Sequence, residues 1–242
     1  MTGFVLAYGD DRIPYQVSYD GTRRSRVAIH VNPDGSVAVD APHGFSDESI
    51  KQAVQKRARW VVGHVSEARE RYAHVRPREY VSGEQVLYLG RRYMLKVVHL
   101  DGKPSSARLR GNRFEVETAN GMQEDIKGRL RAWYRVRGRD YLSRRIDTLT
   151  KTLPWVDTPP PFRLLEMSRQ WGSCSPSGEI IINPHLVKAP RQCIDYVLIH
   201  ELAHLKHHDH GPAFWNLIET HAGDWRKAKH HLDGLVEVLL GD

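Results

Sequence analysis

At 242 residues, 40% of them hydrophobic, the chain can form one large domain or two small ones with a proper core. Two cysteines, Cys174 and Cys193, exclude a disulfide framework and a Cys-rich metal site; no stretch approaches the roughly 18 apolar residues of a membrane span, and no secretory signal pattern is visible, so a reducing, cytoplasmic setting without a membrane partner is expected. The net charge of +7 suits either a polyanionic partner or a well-solvated surface.

Short strands are expected over 14–42: Val27 to Val31 alternate, Asp34-Gly35 is a hairpin turn, and Val37 to Val39 resume. Ser46 fits an N-cap for one helix running through Ile50, Val54, Trp60 and Val61 toward residue 72, with Asp47 and Glu48 in its first turn. Strand patterns return at Val86–Leu89, Tyr93–Val98, Arg108–Leu109 and Phe114–Val116, punctuated by Gly83, Gly90, Gly102 and Gly111. A long helix is expected over 123–151, ended by Thr158-Pro159-Pro160-Pro161. Beyond it come strands at 162–168 and 179–183, a helix from Pro190, another from Pro212 to about 222, and a last one over 225–239. No internal repeat is visible. The fold class is α+β, with residues 1–120 a strand-rich N-terminal region with one helix and 121–242 a mainly helical C-terminal region.

Basic residues gather at Arg23-Arg24, at Lys56-Arg57-Ala58-Arg59, and along 127–145, where Arg131, Arg135 and Arg139 recur every fourth residue. The bland reading of this stripe is a solvated helix face; the sharper one is non-specific nucleic-acid contact through phosphates.

The chemistry concentrates at His200-Glu201-Leu202-Ala203-His204. On a helix, positions i and i+4 lie on one face, so His200 and His204 can aim imidazole nitrogens at one zinc ion. Glu201 stands about 100° around the helix, where a general base takes a proton from activated water. His207 and His208 fall near the same face, but a straight helix cannot wrap three ligands around a tetrahedral ion. The helix should therefore break, and Asp209-His210-Gly211-Pro212 supplies the break, with proline opening a new helix. His210 is the expected third ligand and Glu219 its competitor. Cys174 as a fourth ligand would close the site and is not expected in an enzyme.

A second constellation is Arg169-Gln170-Trp171-Gly172-Ser173-Cys174-Ser175, ahead of the strand Glu179 to Asn183. That strand is a candidate edge for holding an extended peptide, and Arg169, Trp171 and Ser173 are candidate substrate contacts. The bland alternative is Trp171 in the core and Arg169 in a surface ion pair. Candidates for a second oxyanion donor are Tyr196, Arg169 and His221.

Trp171-Gly172-Ser173-Cys174-Ser175, the Asn183-Pro184 step, Pro190, and His-Glu-Leu-Ala-His running to His210-Gly-Pro-Ala-Phe214-Trp215 resemble the YgjP-like family, relatives of the SprT-like zinc metallopeptidases. The resemblance covers most of the chain, although Gln170 separates Arg169 from Trp171, which in the family are often adjacent. It implies a C-terminal minimal zincin-like metallopeptidase core, zinc on His200, His204 and His210, and Glu201 as base. The expected function is zinc-dependent hydrolysis, foremost of a peptide or protein. The alternative is metal-dependent hydrolysis of a nucleoside triphosphate or another phosphate ester.

Overall fold

The structure, a computed structural model, describes residues 2–20, 27–32, 35–73, 78–100, 106–167 and 170–236. Arg23-Arg24, Asp34, Gly102 and Arg169 lie outside them. The described residues form a mixed α+β protein with three small sheets and six α-helices. The chain parts into two compact units between Arg76 and Pro77, upstream of the 120/121 division expected from sequence.

The first unit holds β1 (Thr2–Tyr8), β2 (Asp11–Asp20), β3 (Ala28–Val31) and β4 (Val37–Pro42), in the order β1-β2-β4-β3. Only β2 and β4 run parallel. Ser46 caps α1 (Asp47–Gln55) as expected, its hydroxyl accepting the Ser49 N–H at 3.3 Å. The single helix expected here is two: the chain turns at Lys56 and Arg57, and α2 (Ala58–Ala73) begins. Ile50, Val54, Ala58, Val61 and Val65 still form one buried line across that turn, so a common core holds both pieces. Trp60 is not on that line. It is 42% exposed, its ring against His64, and its neighbour Val61 takes the core position.

The second unit repeats the topology. Strands β5 (Gln85–Tyr88), β6 (Arg91–His99), β7 (Ala107–Arg110) and β8 (Arg113–Thr118) lie in the order β5-β6-β8-β7, with only β6 and β8 parallel. Their Val86, Leu95, Phe114 and Val116 share one core with the helices that follow, which is why the compact units part upstream of this sheet. In α3 (Gln123–Thr150), Ile126, Leu130, Tyr134, Gly138, Leu142 and Ile146 recur every fourth residue and are all buried. Gly138 lets this helix approach the chain closely: a Cβ there would sit 3.3 Å from Val187.

A third sheet has the order β10-β11-β9, from β9 (Phe162–Leu164), β10 (Gly172–Cys174) and β11 (Ile180–Ile182). The expectation that 179–183 supplies a free edge fails: β11 is the central strand and β10 the edge. A 3-10 turn (Pro184–Lys188), capped by the Asn183 side chain, leads into α4 (Arg191–Ala203). Then come α5 (Pro212–His221) and α6 (Trp225–Asp233).

The start of α4 is held by the β5–β6 turn. Leu89 and Gly90 both have positive φ, and their N–H groups donate to Val187 and Lys188 carbonyls at 2.7 and 3.1 Å. A Cβ on Gly90 would lie 2.8 Å from the Pro190 Cα, in a backbone region that side chains avoid. Gly90→Ala is expected to destabilise the second unit by roughly 1–3 kcal/mol. The control is Gly128→Ala on open helix surface, which should gain roughly 0.5–1 kcal/mol. Equal denaturation midpoints for Gly90→Ala and wild type would show that this turn does not brace α4.

Candidate metal centre

Helix α4 is apolar on nearly every side: Cys193, Ile194, Val197, Leu198, Ile199 and Leu202 are all buried. Polar ties fix its position. Arg145 on α3 pairs with Asp195 through two contacts, at 2.5 and 2.9 Å. The Trp155 indole donates to the Leu202 carbonyl at 2.9 Å, satisfying an acceptor near the helix end. The helix stops at Ala203, with His204 as its C-cap, and the chain turns through His207 and His208 before Pro212 opens α5. This is the break that a three-ligand cluster requires.

The turn brings His200, His204 and His210 together, their ligand atoms all within 4.8 Å of one another. His210 Nε2 lies 3.1 Å from His200 Nε2. Two nitrogens about 2.05 Å from one ion at the tetrahedral angle would be roughly 3.3 Å apart. His204 donates through Nδ1 to the His207 carbonyl at 3.0 Å, which leaves Nε2 as the lone-pair nitrogen facing its neighbours. Burial, then the nearby His204 and His210, push His200 down to about 4, so it is neutral near pH 7, as a ligand must be. Three imidazoles in this spacing fit a zinc-sized ion and leave a fourth position for water or substrate.

Phe214 is a site residue that the sequence reading gave no role. Fully buried, it lies 4.7–4.9 Å from the ring centres of all three histidines and forms the floor of the cluster. Its signal is its place four residues after His210, in the first turn of α5. Glu219 is not in the cluster. Its carboxylate accepts from Trp225 Nε1 and from Arg226, both at 2.8 Å.

Glu201 is 5% exposed, and its Oε2 has no hydrogen-bond partner among the described residues. Burial pushes its carboxyl up to about 8. Strand β10 passes directly over it. A Cβ on Gly172 would lie 2.8 Å from Glu201 Cγ and Oε1, so only glycine admits the carboxyl there. Strand alternation places Cys174 on the same face as Gly172 and Ser173 on the opposite one. The Cys174 thiol is accordingly pushed up, by burial and then by Glu201.

Trp171 packs on the core at the foot of β10, and Ser173 pairs with Ile181. Asn183 was read only as part of a motif. It is fully buried and donates to the carbonyls of Met167 and Gln170, holding the approach to β10. Of the oxyanion candidates, Tyr196 is buried and stacked on Trp225, while His221 lies edge-on to Trp155. The arginine stripe is partly committed. Arg131 is half-buried, Arg135 donates to the Leu164 carbonyl at 3.4 Å, and Arg139 is exposed. No helix among the described residues is long and apolar enough to cross a membrane.

Residues 25–234 match the family described as YgjP-like, metallopeptidase domain, and the chain belongs to that family. The family places it among metal-dependent hydrolases. Among curated proteins, none matches. A crystal structure of the metallopeptidase zymogen of Pyrococcus abyssi abylysin is similar over 36% of this chain and 89% of that one, at 23% identity and a TM-score of 0.32.

Two of the shifted groups, His200 and Glu201, predict a pH signature for the metal-free protein. His200 resists protonation down to about 4, whereas an unfolded histidine takes its proton near 6.5, so stability is lost as pH falls through that range. Glu201 stays protonated up to about 8, whereas an unfolded glutamate ionises near 4.5, so stability is lost as pH rises between those values. Between 6.5 and 8 the Glu201 effect is the larger of the two, and the His200 effect fades as pH rises. Denaturation curves of metal-free protein should show stability falling over that window, and Glu201→Gln should flatten the fall. An unchanged slope in the variant would assign the alkaline loss to another group.

Proposed function

We propose that the chain is a zinc-dependent peptidase in which His200, His204 and His210 hold the metal and Glu201 is the general base. The observation that carries this is the three-imidazole cluster with a buried, underpartnered carboxyl beside it, under an open sheet edge. All-nitrogen donors suit zinc, and a zinc ion with three protein ligands lowers the pKa of water toward 7 and polarises a carbonyl.

Glu201 takes the proton of the attacking water and returns it to the leaving amine. Its raised pKa belongs to the metal-free site; a divalent cation alongside favours the carboxylate, which is the form a base needs. Burial keeps that carboxylate from being spent on solvent.

The sheet edge supports a peptide rather than a compact substrate. The Trp171 carbonyl accepts from Asn183 N–H, and Ser175 N–H donates to the Glu179 carbonyl, both at 2.8 Å. By antiparallel alternation, Gly172 and Cys174 turn their N–H and C=O groups to the open side. An extended peptide added there gains main-chain hydrogen bonds beside Glu201. Because Gly172 has no side chain, nothing stands between that strand and the carboxyl.

Glu201→Gln should keep zinc and fold while peptide hydrolysis falls roughly 10²–10⁴-fold. The assay pairs zinc-loaded wild type and variant on a mixed panel of peptides and nucleoside triphosphates, with bound zinc measured in each. Unchanged turnover in the variant would remove Glu201 as base. Turnover of the triphosphates alone would replace the peptidase reading with phosphate-ester hydrolysis. Gly172→Ala should likewise retain zinc and lose turnover, because its Cβ must displace Glu201.

A further inference from the structure

We infer that Trp215, Trp225 and Glu219 are positioning residues for His210, the exposed third member of the histidine cluster; this rests on the zinc reading above. His200 lies within α4 and His204 caps it, with Nδ1 held by a carbonyl. His210 has neither support. It is exposed, sits in the connection between α4 and α5, and its Nδ1 has no hydrogen-bond partner among the described residues. A ligating histidine is ordinarily oriented by a bond to its second nitrogen. Here ring contacts take that place.

The contacts form a connected stack. His210 tilts 30° from the Trp215 ring at 5.9 Å, with Phe214 edge-on at 4.7 Å on another side. Trp215 stacks on Trp225 at 5.0 Å, and Trp225 stacks on Tyr196 at 6.0 Å. Tyr196 lies on α4, one turn before His200. The series Tyr196–Trp225–Trp215–His210 therefore runs from α4 through α6 and α5 and returns to the cluster.

Glu219 fixes the middle of the stack. One carboxylate oxygen accepts from Trp225 Nε1, and the carboxylate also pairs with Arg226, whose guanidinium lies over the Trp225 ring at 4.5 Å. With Trp225 so held, Trp215 has a rigid partner to lie against, and its own ring limits how His210 can swing. This gives the acidic side chain of α5 a function that is not ligation.

The test measures zinc affinity by chelator competition and ligand geometry by the visible absorption of the cobalt-substituted protein. Trp215→Ala should weaken zinc by roughly 10–100-fold and alter the cobalt spectrum, as loss of a ligand's support does. Glu219→Ala, on the exposed side of the stack, should weaken zinc toward the lower end of that range without threatening the fold. Glu219→Gln should restore affinity, because its carbonyl oxygen still accepts from Trp225. If His210→Ala loses zinc while Trp215→Ala and Glu219→Ala hold it like wild type, the positioning role is overturned. A Glu219→Gln variant as impaired as Glu219→Ala would also overturn it, pointing to the charge itself. If His210→Ala holds zinc like wild type, the third-ligand reading fails and takes this inference with it.

Discussion

A buried carboxyl without a full set of partners is the constraint on which the second unit depends. Removing an ionised carboxylate from water is costly, and among the described residues Glu201 Oε2 finds no hydrogen-bond partner. Such a group persists only where the surrounding structure overdetermines it. Here it stands on a helix on which Cys193, Ile194, Val197, Leu198, Ile199 and Leu202 are also buried, so the helix cannot rotate to expose it without exposing them. The strand above contributes a glycine where any side chain would collide. The three neighbouring imidazoles complete the logic. Neutral rings supply no charge to Glu201, but a cation among them would. The carboxyl, the glycine and the histidines make chemical sense together and little sense apart.

Holding such a site requires that α4 be fixed at both ends and along its length. The Gly90 turn and the Pro184–Lys188 segment brace its start, Arg145 engages it near the middle, and Trp155 reaches its last turn. Each tie comes from a different element of the same unit. The long helix α3 is central to this arrangement, because its fourfold-spaced line of buried residues packs against the segment that leads into α4. That is a structural reason for 28 residues of helix far from the histidines in sequence.

Much of this was legible in the residues. The i, i+4 histidines, the need for a helix break after them, and the proline that opens the next helix follow from helical geometry, and the structure brings His200, His204 and His210 together as that geometry requires. The Ser46 cap and the long α3 were equally readable, because capping and periodicity are local. What was hidden is what depends on distant partners. Nothing near Gly172 says that the carboxyl of Glu201, far along the chain, will fill its missing side chain. β10 is only three residues long, too short for alternation to register, so the edge was assigned to the more apolar Glu179–Asn183 run. That run is apolar because it is central and covered on both flanks. The helix pattern takes in both Trp60 and Val61, and adjacency does not reveal which of them packs: Val61 holds the core position and Trp60 is exposed.

The two units add a lesson about where function resides. Both sheets order four strands identically, with one parallel pair at the centre, yet no sequence repeat announces it. Strand patterning specifies little more than which face is apolar, so many sequences satisfy one topology. After the first sheet the helical segment breaks at Lys56–Arg57, and the described residues there bring together no metal-ligand cluster. After the second sheet an unbroken helix leads to a small third sheet and α4. The repeated architecture thus carries no chemistry by itself. The chemistry begins where the repeat ends, with a glycine on an edge strand and a helix that stops at its second histidine.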